Sequence, residues 1–201
     1  MEQIAEWGYE FESVELMKDR PHRMKKIYRV RLKDGGSIRL DVTDTPQPWW
    51  EYQRILKREN VMVATELSVH RYEGKFYRFT EYIHGERLLV YWEFPPMFER
   101  LGALCSQVNR VGIGRDDLYL FNLDVTWINF VLSNSGELFM IDMDGVIAID
   151  KRAIDDYMVR LLKKNFFDQK YIDSFLNGYQ KYRSASIIRR ELANANYKIS
   201  A

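Results

Sequence analysis

The 201-residue sequence predicts an α+β fold in two parts: an antiparallel, β-rich first half carrying one helix, and a mainly helical second half. Three observations lead there. Residues 26 to 42 alternate apolar and polar side chains about a tight turn. Apolar residues recur at helical spacing in several later segments. The character of the chain changes in a short connector at 83–86. The expected organisation is a β-rich lobe over 1–82, a hinge over 83–86 and a helical lobe over 87–201.

In order, "KIYRVRL" and "SIRLDV" read as strands with period two, and "KDGG" between them is a hairpin signal. Ile27, Val30 and Leu32 alternate imperfectly, which suggests a bulge near Arg29. "DTPQPWWEYQRILKREN" reads as a helix that Asp44 or Thr45 helps to cap, with Trp49, Trp50, Gln53, Ile55 and Leu56 as its buried stripe. Two further strands, "VMVATELSVHRYE" and "KFYRFTEYI", meet at Glu73-Gly74-Lys75. "PPMFERLGALCSQVNRVG" begins on a diproline and ends on a glycine, so it reads as a helix. Two more helices are expected in "KRAIDDYMVRLLKKNF" and "QKYIDSFLNGYQKYR".

Bulk properties exclude several classes. Hydrophobic residues make up 46% of the chain, ample for a core, and 30 basic residues offset 29 acidic ones. That balance offers nothing specific to nucleic acid. One cysteine, Cys105, allows no internal disulfide, and its place on an apolar helical face makes it a core residue. No secretory leader or run of about 18 apolar residues is visible, so a cytoplasmic protein is expected, with peripheral membrane contact left open. His22, His70 and His84 are scattered and suggest no metal centre, and no Ser-His-Asp set can be assembled.

The informative segment is "LDVTWINFVLSNSGELFMIDMDG", residues 123–145. Asp124 is followed by Asn129 five positions on, and Asn129 by Asp142 thirteen further on. Taken singly, Asp and Asn at loop edges are ordinary turn formers. Jointly, they match the needs of phosphoryl transfer: a carboxylate to orient the attacking hydroxyl and take its proton, and oxygen ligands for magnesium on the phosphates. Apolar "NFVL" and "LFMI" about "SNSGE" would be the strands joining them.

With these residues the chain resembles the protein-kinase-like superfamily. The resemblance is nearest to its small-molecule kinases: aminoglycoside phosphotransferases, choline kinases and bacterial lipopolysaccharide-core kinases. "FTEYIHGERL" is similar to that group's fifth strand and hinge, and "IDMDG" to its metal-binding segment. The resemblance spans about residues 27–182 and implies a two-lobed kinase-like fold. It also implies ATP and Mg²⁺ as cofactors, Asp124 as catalytic base, and Asn129 and Asp142 as metal ligands. Glu81 to Ile83 would meet the adenine through their backbone. Arg39 would take the place of the phosphate-binding lysine, Ser37 would face the nucleotide, and Glu51 would pair with the Arg39 cation. The implied acceptor is a hydroxyl-bearing small molecule, sugar or glycolipid, including the lipopolysaccharide core.

Three departures stand out. "MKDRPHRMKK" holds no glycine, so a Gly-rich phosphate loop is missing and Arg20, Arg23, Lys25 and Lys26 are the charges available there. Asn122 stands where the family has a supporting histidine. Arginine replaces lysine at 39, and the two are not equivalent at a phosphate site. A pseudokinase serving as a binding module is therefore the second reading. A competing frame, Asp117 with Asn122, leaves Asp142 twenty residues away and gives "LDVTWIN" no place, so the Asp124 frame is preferred.

Overall fold

The computed structural model describes residues 6–21, 24–114, 117–165 and 168–197, without the Trp127 side chain. Arg23 and His22, from the basic stretch, lie outside them. The chain divides into two compact units, one of residues 1–50 and 64–83, the other of 51–63 and 84–201.

The first unit is built on a five-stranded antiparallel sheet in the order β1-β2-β3-β5-β4. Its strands are β1 (Phe11–Arg20), β2 (Lys25–Leu32), β3 (Ser37–Thr43), β4 (Glu66–Tyr72) and β5 (Lys75–Glu81). The β2–β3 register runs without a break from Lys25↔Thr43 to Arg31↔Ser37, so no bulge occurs at Arg29. The irregularities lie in β1, between Phe11 and Ser13 and between Leu16 and Lys18. The imperfect alternation near Arg29 instead reflects what each face carries. On one face Val30, Ile38, Leu40 and Phe79 form a core, joined by the half-buried Trp7, Tyr9, Tyr28 and Tyr77. The Tyr9 ring stacks 4.6 Å from Phe79. The opposite face carries Arg29, Arg39, Asp41 and Arg78, held there by the cross-strand pairs Arg29↔Arg39 and Asp41↔Arg78. Polar residues thus occupy positions that are sheltered yet charged.

Helix α1 (Pro48–Arg58) begins with a proline, whose missing N–H is not needed in the first turn. Trp49, Trp50, Gln53 and Leu56 form its buried stripe, while Ile55, also expected there, is half-buried.

In the second unit, α2 (Pro95–Asn109) packs against α4 (Gln169–Tyr179). The approach is close enough that a Cβ on Gly102 would run into the Phe175 backbone, and one on Gly178 into the Glu99 backbone. Asn109 donates to the Tyr179 hydroxyl at 3.0 Å inside this contact. Helix α3 (Ile154–Asn165) packs against α5 (Ser186–Asn194). Two small antiparallel sheets complete the unit. One orders β10 (Leu138–Met140), β9 (Phe130–Ser133) and β6 (Gly85–Arg87); the other orders β11 (Val146–Asp150), β8 (Leu118–Asn122) and β7 (Gly112–Ile113). Cys105 is buried in α2, and burial raises its thiol pKa. Among the described residues, no helix is long and apolar enough to cross a membrane.

Candidate active site

The 123–145 segment is positioned by both small sheets. β8 and β11 are paired from Leu118↔Asp150 to Asn122↔Val146. The chain therefore leaves β8 beside the point where it enters β11, which sets Leu123 and Asp124 against Asp144 and Gly145. The Leu123 N–H donates to the Gly145 carbonyl at 2.9 Å. A Cβ on Gly145 would lie 2.7 Å from the Asp124 Cβ, 3.0 Å from its nitrogen and 3.1 Å from Asn122 Oδ1. Only a residue without a side chain lets the two segments nest.

Asn122 is buried and uses both ends of its carboxamide. Oδ1 accepts the Asp124 N–H at 2.9 Å, and Nδ2 contacts the Met140 sulfur at 3.0 Å. It thus ties the backbone of Asp124 to the Met140 side chain of β10. Asp124 follows, exposed. The buried Val125 then leads into a 3-10 turn, Trp127–Asn129.

Asn129 is the knot of the arrangement, 4% exposed. Its Nδ2 donates to the Asp124 carbonyl at 3.0 Å, and its own carbonyl accepts the Ile141 N–H at 2.9 Å. The amide nitrogen must face Asp124, because a carbonyl can only accept, so Oδ1 is the atom left to offer elsewhere. The β9–β10 pair (Met140↔Phe130) brings Ile141, and with it the half-buried Asp142, alongside Asn129. Asp142 Oδ1 accepts the Asp144 N–H at 3.2 Å, which shapes the turn. Hydrogen bonds therefore run from Asp124 through Asn129 to the residue before Asp142. Asp144 joins the same turn and was not singled out from the sequence.

The donor set is oxygen only: two or three carboxylates and one carboxamide. Hard cations such as Mg²⁺ take such ligands, often with one or two protein carboxylates and the substrate's phosphates completing the shell. Among the described residues no three His, Cys, Asp or Glu side chains group to hold a metal by themselves. The set fits an ion shared with a phosphate better than a closed structural site.

In the first unit, Arg39 forks onto Asp41, Nε to Oδ1 at 2.9 Å and Nη2 to Oδ2 at 3.3 Å. Asp41 is 1% exposed. Arg78, equally buried, donates to Glu66 at 2.7 Å and lies 5.0 and 5.3 Å from the Trp49 and Trp50 ring centroids. Burial lowers the Arg78 pKa, while the Glu66 hydrogen bond and Asp41 pull it back up. Sequence reasoning missed this network. Its available signal was "RLD", which puts Arg39 and Asp41 two apart on one strand and so on one face.

Glu51 lies in the first turn of α1, exposed, and pairs with Arg54 at 3.5 Å. Glu81 ends β5; its N–H donates to the Thr65 carbonyl, and its carboxylate accepts from Thr65 N at 3.1 Å and Oγ1 at 3.0 Å. Ile83 is half-buried in the extended run before β6. Of the basic stretch, Lys25 is buried with its ammonium 4.5 Å from the Trp49 ring, and Lys26 pairs with Asp19 at 3.6 Å. Lys25 is therefore packed into the unit and is not a solvated loop charge.

No protein-family model matches the sequence, and no curated protein does. Solved structures do match. A spectinomycin phosphotransferase in complex with ADP and spectinomycin aligns with a TM-score of 0.73 at 10% identity, over 95% of this chain and 84% of that one. An amicoumacin kinase in complex with AMP-PNP and Ca²⁺ aligns at 0.68 and 14% identity, over 92% and 78%. An ethanolamine kinase from Plasmodium vivax aligns at 0.60 and 8% identity, over 88% and 69%. The chain thus has the two-lobed, protein-kinase-like fold of small-molecule kinases.

Proposed function

We propose that the protein is a phosphotransferase that moves the γ-phosphate of ATP, with Mg²⁺, to a hydroxyl of a small molecule, sugar or glycolipid. The observation that carries the reading is the Asn129 side-chain bond to the Asp124 carbonyl, together with the Asn129–Ile141 backbone bond. A turn former with no further duty has no need to be buried and tied at both ends.

In this reading the exposed Asp124 carboxylate orients the acceptor hydroxyl and takes its proton as the oxygen attacks. Asn129 Oδ1 and the Asp142 carboxylate hold the metal, whose contribution is to neutralise charge on the transferring phosphoryl group. Arg39 meets the phosphates. The Glu81 carbonyl and the Ile83 amide meet the base, because the Glu81 N–H is already used on Thr65. Glu51, placed in the first turn of α1, is the carboxylate proposed to face the Arg39 cation. ADP with spectinomycin in one similar structure, AMP-PNP in a second and the ethanolamine kinase activity of a third support this class of reaction. A lipopolysaccharide-core acceptor rests on the sequence resemblance alone.

One observation favours the second reading, a nucleotide-poor pseudokinase: the Arg39 fork is occupied by Asp41. Thermal melting separates the two. With millimolar ATP and Mg²⁺ an enzyme is stabilised by mass action, and Asp142→Ala removes the magnesium-dependent part of the shift. A wild-type melting temperature that ignores ATP and Mg²⁺ would decide for the pseudokinase.

A further inference from the structure

Four hydrogen bonds hold Asn129 and the peptide that leads into it, and three of them come from its own segment. The Asn129 carboxamide donates to the Asp124 carbonyl at 3.0 Å, its N–H donates to the Thr126 carbonyl at 2.9 Å, and its carbonyl accepts the Ile141 N–H at 2.9 Å. The fourth comes from outside. The Arg87 guanidinium donates to the Ile128 carbonyl, which shares one peptide unit with the Asn129 N–H. That unit is planar, so a bond at each end sets the plane from which the Asn129 side chain departs.

Strand β6 brings Arg87 to this point. It pairs with β9 from Gly85↔Ser133 to Arg87↔Val131, and β9 begins at Phe130, directly after Asn129. A Cβ on Gly85 would lie 2.0 Å from the Leu132 carbonyl oxygen, so only glycine permits the approach. The adjacent Glu86 accepts the Tyr91 hydroxyl at 2.7 Å, and among the described residues Arg87 meets no carboxylate. Its charge is thus directed at a neutral backbone oxygen of the catalytic turn. We infer that Arg87 is a positioning residue of the metal-holding loop: its guanidinium, acting through the 128–129 peptide, aims the Asn129 carboxamide oxygen. What that oxygen holds rests on the phosphotransferase reading; the aiming rests on the bond. Arg100, in α2, makes the same kind of bond to the Gly136 carbonyl in the turn of the β9–β10 hairpin, at the end away from Asn129. It supplies the control.

The test is amide hydrogen exchange and thermal melting of the full chain in wild type, Arg87→Met, Arg87→Lys and Arg100→Met. Methionine keeps most of the apolar stem and removes the donors. Arg87→Met should leave the melting temperature unchanged, since Arg87 is exposed. Its Asn129 and Ile141 amides should exchange at least about tenfold faster than in wild type, through local opening of the loop. The Ser133 amide, bonded to the Glu137 carbonyl at 2.8 Å, should keep its rate. With saturating ATP, the Mg²⁺ concentration that gives half of the magnesium-dependent melting shift should rise at least about tenfold, as when a group orienting a metal ligand is lost. The shift from ATP without Mg²⁺ should stay as in wild type. Arg87→Lys keeps a cationic donor and should recover most of both effects, and Arg100→Met should show neither. Wild-type amide rates in Arg87→Met, a lysine variant no better than the methionine variant, or the same response in Arg100→Met overturns the proposal. Faster amides with an unchanged Mg²⁺ midpoint also overturn it, since the bond would then be structural only. A wild type whose melting ignores ATP and Mg²⁺ would sink the phosphotransferase reading, and the amide rates would then decide this inference by themselves.

Discussion

At the scale of residues, two side chains do work that their types alone do not announce. Asn122 is buried and satisfies the Asp124 N–H, so its removal leaves a sheltered donor without a partner. Asn122→Ala should cost about 1–3 kcal/mol in urea unfolding, and lower turnover by loosening Asp124, the residue proposed as the base. Asp41 is the second. It sits directly opposite Arg78 and accepts both arms of Arg39, all in a setting with little water. Removing one partner from a buried ionic set strands the others, so Asp41→Asn should destabilise the chain by about 3–5 kcal/mol in the same measurement. A loss under 1 kcal/mol would mean that solvent already screens the network. Asn122 was legible in part, because its place two residues before Asp124 marks it as support. Asp41 was legible only as the same-face neighbour of Arg39 in "RLD"; its burial depends on Arg78, which comes from a strand 37 positions away.

At the scale of elements, legibility follows the length and periodicity of the segment. Helices α1 and α2 carry long apolar stripes with prolines at their starts, and those stripes are buried. The β9–β10 hairpin has a polar turn between apolar strands, and it forms. β1 escaped because its side chains are mostly exposed, Leu16 and Met17 among them, so its sequence lacks a buried period. β8 has no counterpart among the elements read from the sequence. It is a strand of five residues whose partner, β11, lies beyond the whole 123–145 segment. Short strands that pair across such a span are set by tertiary contact, not by local pattern. The same contact explains Gly145, and the α2–α4 pair shows the effect more sharply. Gly178→Ala would force a methyl group into the Glu99 backbone, and backbone cannot rotate aside as a side chain can. Overpacking of this kind costs about 1–3 kcal/mol, so the variant should melt several degrees lower. An unchanged melting temperature would show that α2 and α4 slide apart without penalty.

At the scale of the whole molecule, the residues assigned to holding phosphate and those assigned to chemistry belong to different stretches of the chain, and this makes binding and catalysis separable by substitution. Asp124 offers an exposed carboxylate, while its backbone carries the structural bonds: its N–H to Asn122 and its carbonyl from Asn129. Asp124→Asn keeps both of those bonds and removes only the carboxylate proposed as the base. It should therefore bind ATP and Mg²⁺ as wild type does, with the stabilisation of about 2.7 kcal/mol that a ligand at a hundred times its Kd confers, yet transfer no phosphate. Asn129→Ala breaks the bond to Asp124 and withdraws the amide oxygen together, so it should lose both the magnesium-dependent stabilisation and turnover. Melting curves with and without nucleotide, set beside a phosphate-transfer assay, distinguish the two patterns. If both variants lose binding equally, Asp124 is a ligand for the metal or nucleotide, and the division between base and ligands drawn from the loop's hydrogen bonds is wrong.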